Sequence, residues 1–361
     1  MTDMASHATR GQPQSRWIVV WYRAVIIPAS RRAAAALIGT SIVGSVIFGP
    51  TAMRPSDLTE LALHDRGVGL VLTAIWLLVF LPTARLIVRP TPAAYLTSLP
   101  GDPRAAWALS AAALIWLQLP WLVLWLAGEG VLGAGVVVAT TAVTVALARW
   151  QPARRRPRTP TWRRPGQALR AIHLRALRRR AGDALLRAAG LAVLAGLAGG
   201  LLVRNNQRSG EAAGVLAASV IAVVVIPAQI GPALVTLAAY RDTAWLAQAF
   251  GIAPRTRIAA LAYAVAIVHL GAAALAAAAA MIVAGPSPWI AVLPVGVGLA
   301  TALGETRTIL VSHESPTIAV RVVIGAIVAA ALAVICLSML DAAGVLALLA
   351  LASFALLAVA A

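Results

Sequence analysis

Few side chains here combine hydrogen-bonding or acid–base chemistry with a place inside a long apolar run, and those few set the range of possible chemistry. His269 is the one imidazole in the middle of such a run. At membrane depth it would belong to a substrate path or hydrogen-bond to a neighbouring helix. Gln118 beside Pro120, and Gln229 between Pro227 and Pro232, would either line a cavity where proline frees backbone carbonyls or pack between helices. No Asp, Glu or Arg is expected in mid-run, since Glu129, Arg187, Arg321 and Asp341 all fall at the ends. Proton- and ion-coupled transporters generally place ionisable groups within the bilayer, so this pattern points away from them.

Catalytic and metal constellations are not expected. His7, His64, His173 and His313 are scattered along the chain and make no ligand set. His313-Glu314 lacks the second histidine of a zinc-protease helix. No carboxylate pair or Ser-His-Asp set can be placed in one plane. All 30 basic residues are Arg, and a Walker A phosphate loop needs a Lys, so the chain is not itself a P-loop ATPase. Neither an enzyme nor a cofactor is expected. Cys336, the one cysteine, lies in an apolar run and reads as packing.

These residues must be positioned by membrane helices. The 361 residues are 61% hydrophobic and 12% charged, with a mean hydropathy of +0.87. Soluble domains average about 45–50% apolar and roughly 25% charged, and lipid absorbs such a surplus where one soluble core would not. Runs long enough to cross a bilayer, about 20 residues, begin near Ala33, Gly67, Ala105, Val131, Ala184, Ala213, Ile258, Trp289, Val322 and Ala342. The eighth, read from Trp289 to Gly304, is short and contains Pro294. β-Barrel alternation is absent. The expected fold is an all-α polytopic bundle of about ten spans.

Charge orients it. With the N-terminus inside, 26 Arg fall in cytoplasmic segments and four, Arg54, Arg66, Arg204 and Arg208, outside. Such asymmetry fixes topology and places both termini in the cytoplasm, with the first run a retained anchor of the inner membrane. The net charge of +18 then reads as Arg meeting anionic lipid headgroups; no nucleic-acid-binding module is recognisable.

An Arg-rich segment, residues 149–183, divides the chain into residues 1–148 with four spans and residues 184–361 with six. Each half opens on a stretch suited to an interfacial helix, Arg16-Trp17-Ile18-Val19-Val20-Trp21-Tyr22-Arg23 and Leu169-Arg170-Ala171-Ile172-His173-Leu174-Arg175. Each half also has a cytoplasmic loop after its second span. The first carries Tyr95, Leu96, Leu99 and Pro100 before Arg104; the second carries Trp245, Leu246, Phe250 and Gly251 before Arg255. In both, a short helix-competent run ends at Pro or Gly and leaves an apolar knob facing the cytoplasm, which reads as a docking site or as a tight helical hairpin touching headgroups.

Ala94-Tyr95-Leu96-Thr97-Ser98-Leu99-Pro100, followed by Arg104 and a new span, resembles the cytoplasmic coupling loop of ABC-type exporter permeases. The resemblance implies an elbow helix before the first span and a loop inserted into a cleft on a separate ATP-binding subunit. Two features depart from the family. The second loop has Phe250-Gly251 where the pattern has Leu-Pro, and the first half has four spans where a family half usually has six. The expected function is a permease subunit that moves a substrate with ATP hydrolysed by a partner. A non-transporting membrane scaffold or assembly factor is the alternative, and a secondary transporter the third. The topology has a direct test: with single cysteines at Gln167, Asn206 or Gln248 in a Cys336→Ala background, an impermeant thiol reagent on intact cells should label only position 206. Labelling at 167 reverses the orientation.

Overall fold

The computed structural model describes residues 12–49, 53–89, 103–150, 165–312, 315 and 317–360. All regular structure among them is helical, and seven helices are long and apolar enough to cross a membrane, the build of a multi-pass membrane protein. α1 (Gln12–Trp21) passes through a π turn (Tyr22–Ile26) into α2 (Ile27–Ile47) with helical dihedrals at both junctions. α3 (Pro55–His64) precedes α4 (Arg66–Val88), which starts where the Asp65 carboxylate accepts the Gly67 and Val68 N–H groups.

α5 spans Pro103–Arg149, too long for one crossing, and is a hairpin. Gly130 sits at φ 54°, ψ −125°. The Trp121 indole donates to Thr140 Oγ1 at 2.9 Å although 19 residues separate them, about 28 Å along a straight helix. The arms cross so closely that a Cβ at Gly133 would land on the Trp125 carbonyl.

α6 (Pro165–Arg180) leads to α7 (Gly182–Asn205) and α8 (Gly210–Ala228); after a break at Gln229 come α9 (Ile230–Asp242), the short α10 (Ala244–Ala249) and α11 (Pro254–Ala284). α12 (Pro288–Ser312), α13 (Ile318–Leu340) and α14 (Ala343–Ala360) complete the chain. The α13–α14 turn repeats the α5 geometry, with Asp341 at φ 49°, ψ −133° and Gly344 seated on the Cys336 carbonyl.

One packing arrangement also recurs. Trp17, Trp21 and Val25 are buried against Ala106 and Leu109 at the start of α5. Leu169, His173 and Leu177 have the same four-residue spacing, are equally buried, and lie on the helix that packs along α11.

Polar contacts gather at two ends. One end holds Arg32–Asp183 and Arg180–Asp242, both 2.8 Å, and the Arg257 guanidinium over the Tyr240 ring. The other holds Arg204–Asp65 at 3.3 Å and the Glu211 carboxylate accepting the Ala342 N–H. The first end, rich in Arg, also carries α6 and α10.

Between the ends, α7 and α11 pack with almost no side chain between them. A Cβ at Gly196 would strike the Ala276 carbonyl oxygen, and one at Gly200 would sit 2.8 Å from that of Ala280. Gly196→Ala should therefore destabilise the bundle by about 1–3 kcal/mol through overpacking. Gly271→Ala, where a Cβ meets nothing within 4 Å, should be neutral or stabilising because Ala favours helix. Thermal unfolding of the two variants in detergent checks the contrast.

Candidate functional site

The sequence reading ended the eighth run at Gly304, but α12 continues to Ser312. Thr306 and Thr308 Oγ1 donate to the Ala302 and Gly304 carbonyls, folding their hydroxyls back onto the helix. Glu305 and Arg307 consequently sit inside a membrane-length helix, and the expectation of spans without mid-span charge is wrong. Glu305 lies seven residues before Ser312, about 10 Å along the axis. The signal missed was Ile309-Leu310-Val311, where the apolar run resumes beyond Arg307.

Glu305 is tolerated there because it has a partner. His269 Nε2 lies 2.7 Å from Glu305 Oε2, with the imidazole 3% exposed and the carboxylate 16%. Thr301 Oγ1 is 3.3 Å from His269 Nδ1 and within reach of the Val297 and Gly298 carbonyls. The Thr301 hydroxyl donates to the backbone of its own helix and turns its lone pairs toward Nδ1, while Nε2 meets the carboxylate, so both ring nitrogens have an oxygen in reach.

These groups open on a cavity of about 290 Å³ bounded by α8, α11, α12, α13 and α14, at the small end of the ligand-pocket range of about 300–1,000 Å³. Its polar side is His269, Thr301, Glu305, Arg307 and Thr308, and its opposite wall is aliphatic, including Val322, Leu332, Leu348 and Leu351. Glu305 and Arg307 do not pair with each other within 4 Å, and Arg307 has no hydrogen bond or ion pair among the described residues. No group of three or more His, Cys, Asp or Glu among the described residues is placed to hold a metal ion.

The other pathway residues lie elsewhere. Gln118 accepts the Trp76 indole N–H at 2.6 Å, joining α4 to α5, while its own Nε2 has no partner. It belongs to an aromatic stack in which Trp76 and Trp121 rings lie 4.9 Å apart, beside an apolar cavity of about 550 Å³. Gln229 is 1% exposed, with neither amide atom partnered. It lines a third cavity of about 340 Å³ with Arg178 and the Val268 face of α11. The three side chains thus occupy three separate environments.

Of the two loops, the second is described. α10 is a single short helix ended by Gly251 at φ 59°. Trp245 and Phe250 are 66% and 73% exposed, whereas Leu246 is half-buried and Arg255 exposed at the start of α11. Asp242, just ahead of α10, is bridged to Arg180 of α6. Tyr95, Leu96, Leu99 and Pro100 lie outside the described residues, and Arg104 is exposed at the start of α5.

No protein-family model, curated protein or solved structure matches this chain.

Beside the loop, His173 of α6 is buried with neither ring nitrogen hydrogen-bonded. Burial pushes its pKa below the ordinary 6.5; the Ala260 backbone opposes that shift and Arg257 adds to it. Above pH 6.5 the ring is neutral in both folded and unfolded chains. Below it the unfolded chain takes up a proton that the buried ring refuses until a lower pH, so stability falls with pH through that window. Unfolding midpoints in detergent at pH 7.5 and 5.5 should show wild type losing more than His173→Leu. Equal losses assign the acid sensitivity to other groups.

Proposed function

We propose that this chain is the membrane permease subunit of an ABC-type exporter, driven by ATP hydrolysed on a separate subunit. One observation carries the reading: two aromatic side chains stand exposed at the Arg-rich end of the bundle, Trp245 on a short helix and Phe250 at its C-cap. Large exposed apolar side chains between helices, beyond the membrane span, are a docking feature. The short helix also joins α9 to α11, the two helices that begin at Gln229 and carry His269. A partner gripping α10 would hold the ends of two rods that lead to the cavities beside Gln229 and His269. The Arg180–Asp242 bridge couples α6 to the same point.

In this reading the Arg-rich end is cytoplasmic: with Arg307 inside α12, the other Arg divide 25 to 4 in its favour. The chain crosses the inner membrane ten times: the seven long apolar helices with the α5 hairpin counted twice, plus α2 and α14. α1 and α6 act as elbows at the inner surface, where Arg178, Arg179 and Arg180, exposed on α6, meet anionic lipids. Movement of the loops by the ATPase would tilt the helices around the mid-membrane path.

A second reading, ion- or proton-coupled transport, is favoured by the His269–Glu305 pair, which supplies the intramembrane ionisable groups such transporters use. The two differ in energy source. Collapsing the proton gradient at constant ATP should leave export intact under the first and stop it under the second.

The partner is tested directly by copurification. Burying one Phe against a cleft is worth roughly 1.5–3 kcal/mol, about ten- to a hundredfold in affinity. Phe250→Asp and Leu99→Asp should lose more, since each buries an unpaired carboxylate. At matched membrane levels, an ATP-hydrolysing partner should copurify with wild type and be depleted at least tenfold with either variant. Undiminished recovery with both leaves the loops as plain connectors and the chain as a membrane scaffold.

A further inference from the structure

The cavity between α12, α13 and α14 presents two opposite charges that do not neutralise each other. Glu305 Oε2 lies 2.7 Å from His269 Nε2, whereas Oε1 makes no hydrogen bond and is not sealed from solvent-sized space. Arg307, two residues on, lines the same cavity and carries no partner among the described residues. Arg307 is exposed, so its guanidinium is reachable by an anionic group in the cavity. A polar ligand bearing both an ammonium and an anionic group would complement the carboxylate and the guanidinium together. The wall facing the charges is aliphatic and comes from α13 and α14, with Val322, Leu332 and Leu351 exposing hydrocarbon to the cavity. Those two helices also carry exposed apolar faces, including Ile324, Ile335, Leu346 and Phe354, suited to lipid. An acyl chain attached to the ligand would therefore meet hydrocarbon on leaving the polar pocket.

We infer that this cavity binds the headgroup of a zwitterionic amphiphile, its ammonium on Glu305 and its phosphate or carboxylate on Arg307. As the substrate class of the exporter the inference rests on the permease reading; as a binding site it is tested on the chain alone. The His269–Thr301 pair has a positioning role, holding Glu305 by one oxygen so that the other faces the ligand.

The test uses the full chain purified in maltoside detergent and four probes measured by native mass spectrometry and titration calorimetry. Dihexanoyl phosphatidylethanolamine carries both charges and tails, and dihexanoyl phosphatidylglycerol lacks the ammonium. Hexylammonium lacks the anion, and glycerophosphoethanolamine lacks the tails. Wild type should bind the first at least about tenfold more tightly than each of the others, the scale of one lost charge-assisted bond or buried chain. Glu305→Gln keeps an acceptor for His269, so the fold should survive, which monodispersity and helicity check. It should weaken phosphatidylethanolamine by about tenfold and leave phosphatidylglycerol unchanged. Arg307→Gln should weaken both lipids. Equal wild-type affinity for the two lipids overturns the ammonium site, and binding of both lipids unchanged in Arg307→Gln overturns the anion site. Headgroup alone binding as tightly as lipid overturns the amphiphile. No ATPase is present, so a negative result here leaves the loop-docking reading standing, and loss of that reading leaves this site to be judged on its own.

Discussion

Close approach of α7 and α11 is the constraint on which the rest of the bundle depends. In lipid, burying one apolar helix against another gains little from water, so association rests on packing at short range. Here the small side chains supply it: Gly196 and Gly200 lie against the backbone of an α11 segment in which Ala272, Ala273, Ala276, Ala277, Ala279 and Ala280 are all buried. α7 packs α2, α4 and α8 on its remaining faces, and α11 packs α6 and α12. The pair therefore joins the first half of the chain to the second. It also fixes the rotation of α11, which decides that His269 faces α12 rather than α7. A polar side chain in the wrong rotation would meet the Gly–Ala seam, where there is no room for it.

Polar groups inside this bundle are treated in three ways. Glu305 is held by one oxygen to His269 and faces a cavity at modest exposure. Gln118 is half satisfied, spending its carbonyl on an indole and leaving its amide unpaired. Gln229 has no protein partner for either amide atom, and each such group left dry costs roughly 1–3 kcal/mol. Both atoms are sealed from water-sized space although the side chain borders a cavity of about 340 Å³, so the penalty stands in this arrangement. The graded series separates positions that only join helices from positions that keep bonding capacity for something outside the chain.

Much of the architecture was legible in the sequence because bilayer thickness imposes a length that hydropathy reveals directly. The apolar runs starting near Gly67, Ala184, Ala213, Ile258 and Val322 begin within a few residues of α4, α7, α8, α11 and α13. Two separate runs near Ala105 and Val131 match the arms of α5, whose turn at Gly130 a hydropathy reading marks only as a break. Failure came where hydropathy averages over a charge. Glu305-Thr306-Arg307 resembles a loop by composition, yet each member has a local solution: a His across the interface for Glu305, a backbone carbonyl for Thr306, and five remaining residues of helix toward the surface for Arg307. α3, a ten-residue helix with Asp57 accepting the Arg54 N–H, was invisible for a different reason: it is amphipathic and lies outside the apolar runs. Which residue meets His269 depends on the rotation of two helices, and no one-dimensional pattern contains it.

The junction at Gln229 bears on how the loop at α10 would act on the membrane interior. α8 and α9 follow one another with only Gln229 between them, its backbone at φ −80°, ψ −8°. Pro227 and Pro232 flank it, removing backbone donors on both sides, so this is where the rod is weakest in bending. α11, in contrast, is one unbroken helix of 31 residues locked to α7 by the glycine seam. A force applied at α10 would therefore be unequally shared, with α9 swinging about Gln229 while α11 holds. The Arg180–Asp242 bridge fastens the swinging end to α6, so the elbow would move with α9. Such motion would change the cavity beside Gln229 first and would reach Glu305 only through α12, which packs along α11. The stiff helix carries the carboxylate's partner and the hinged one would open the neighbouring space, a division of labour that would follow from where proline and glycine stand in the sequence.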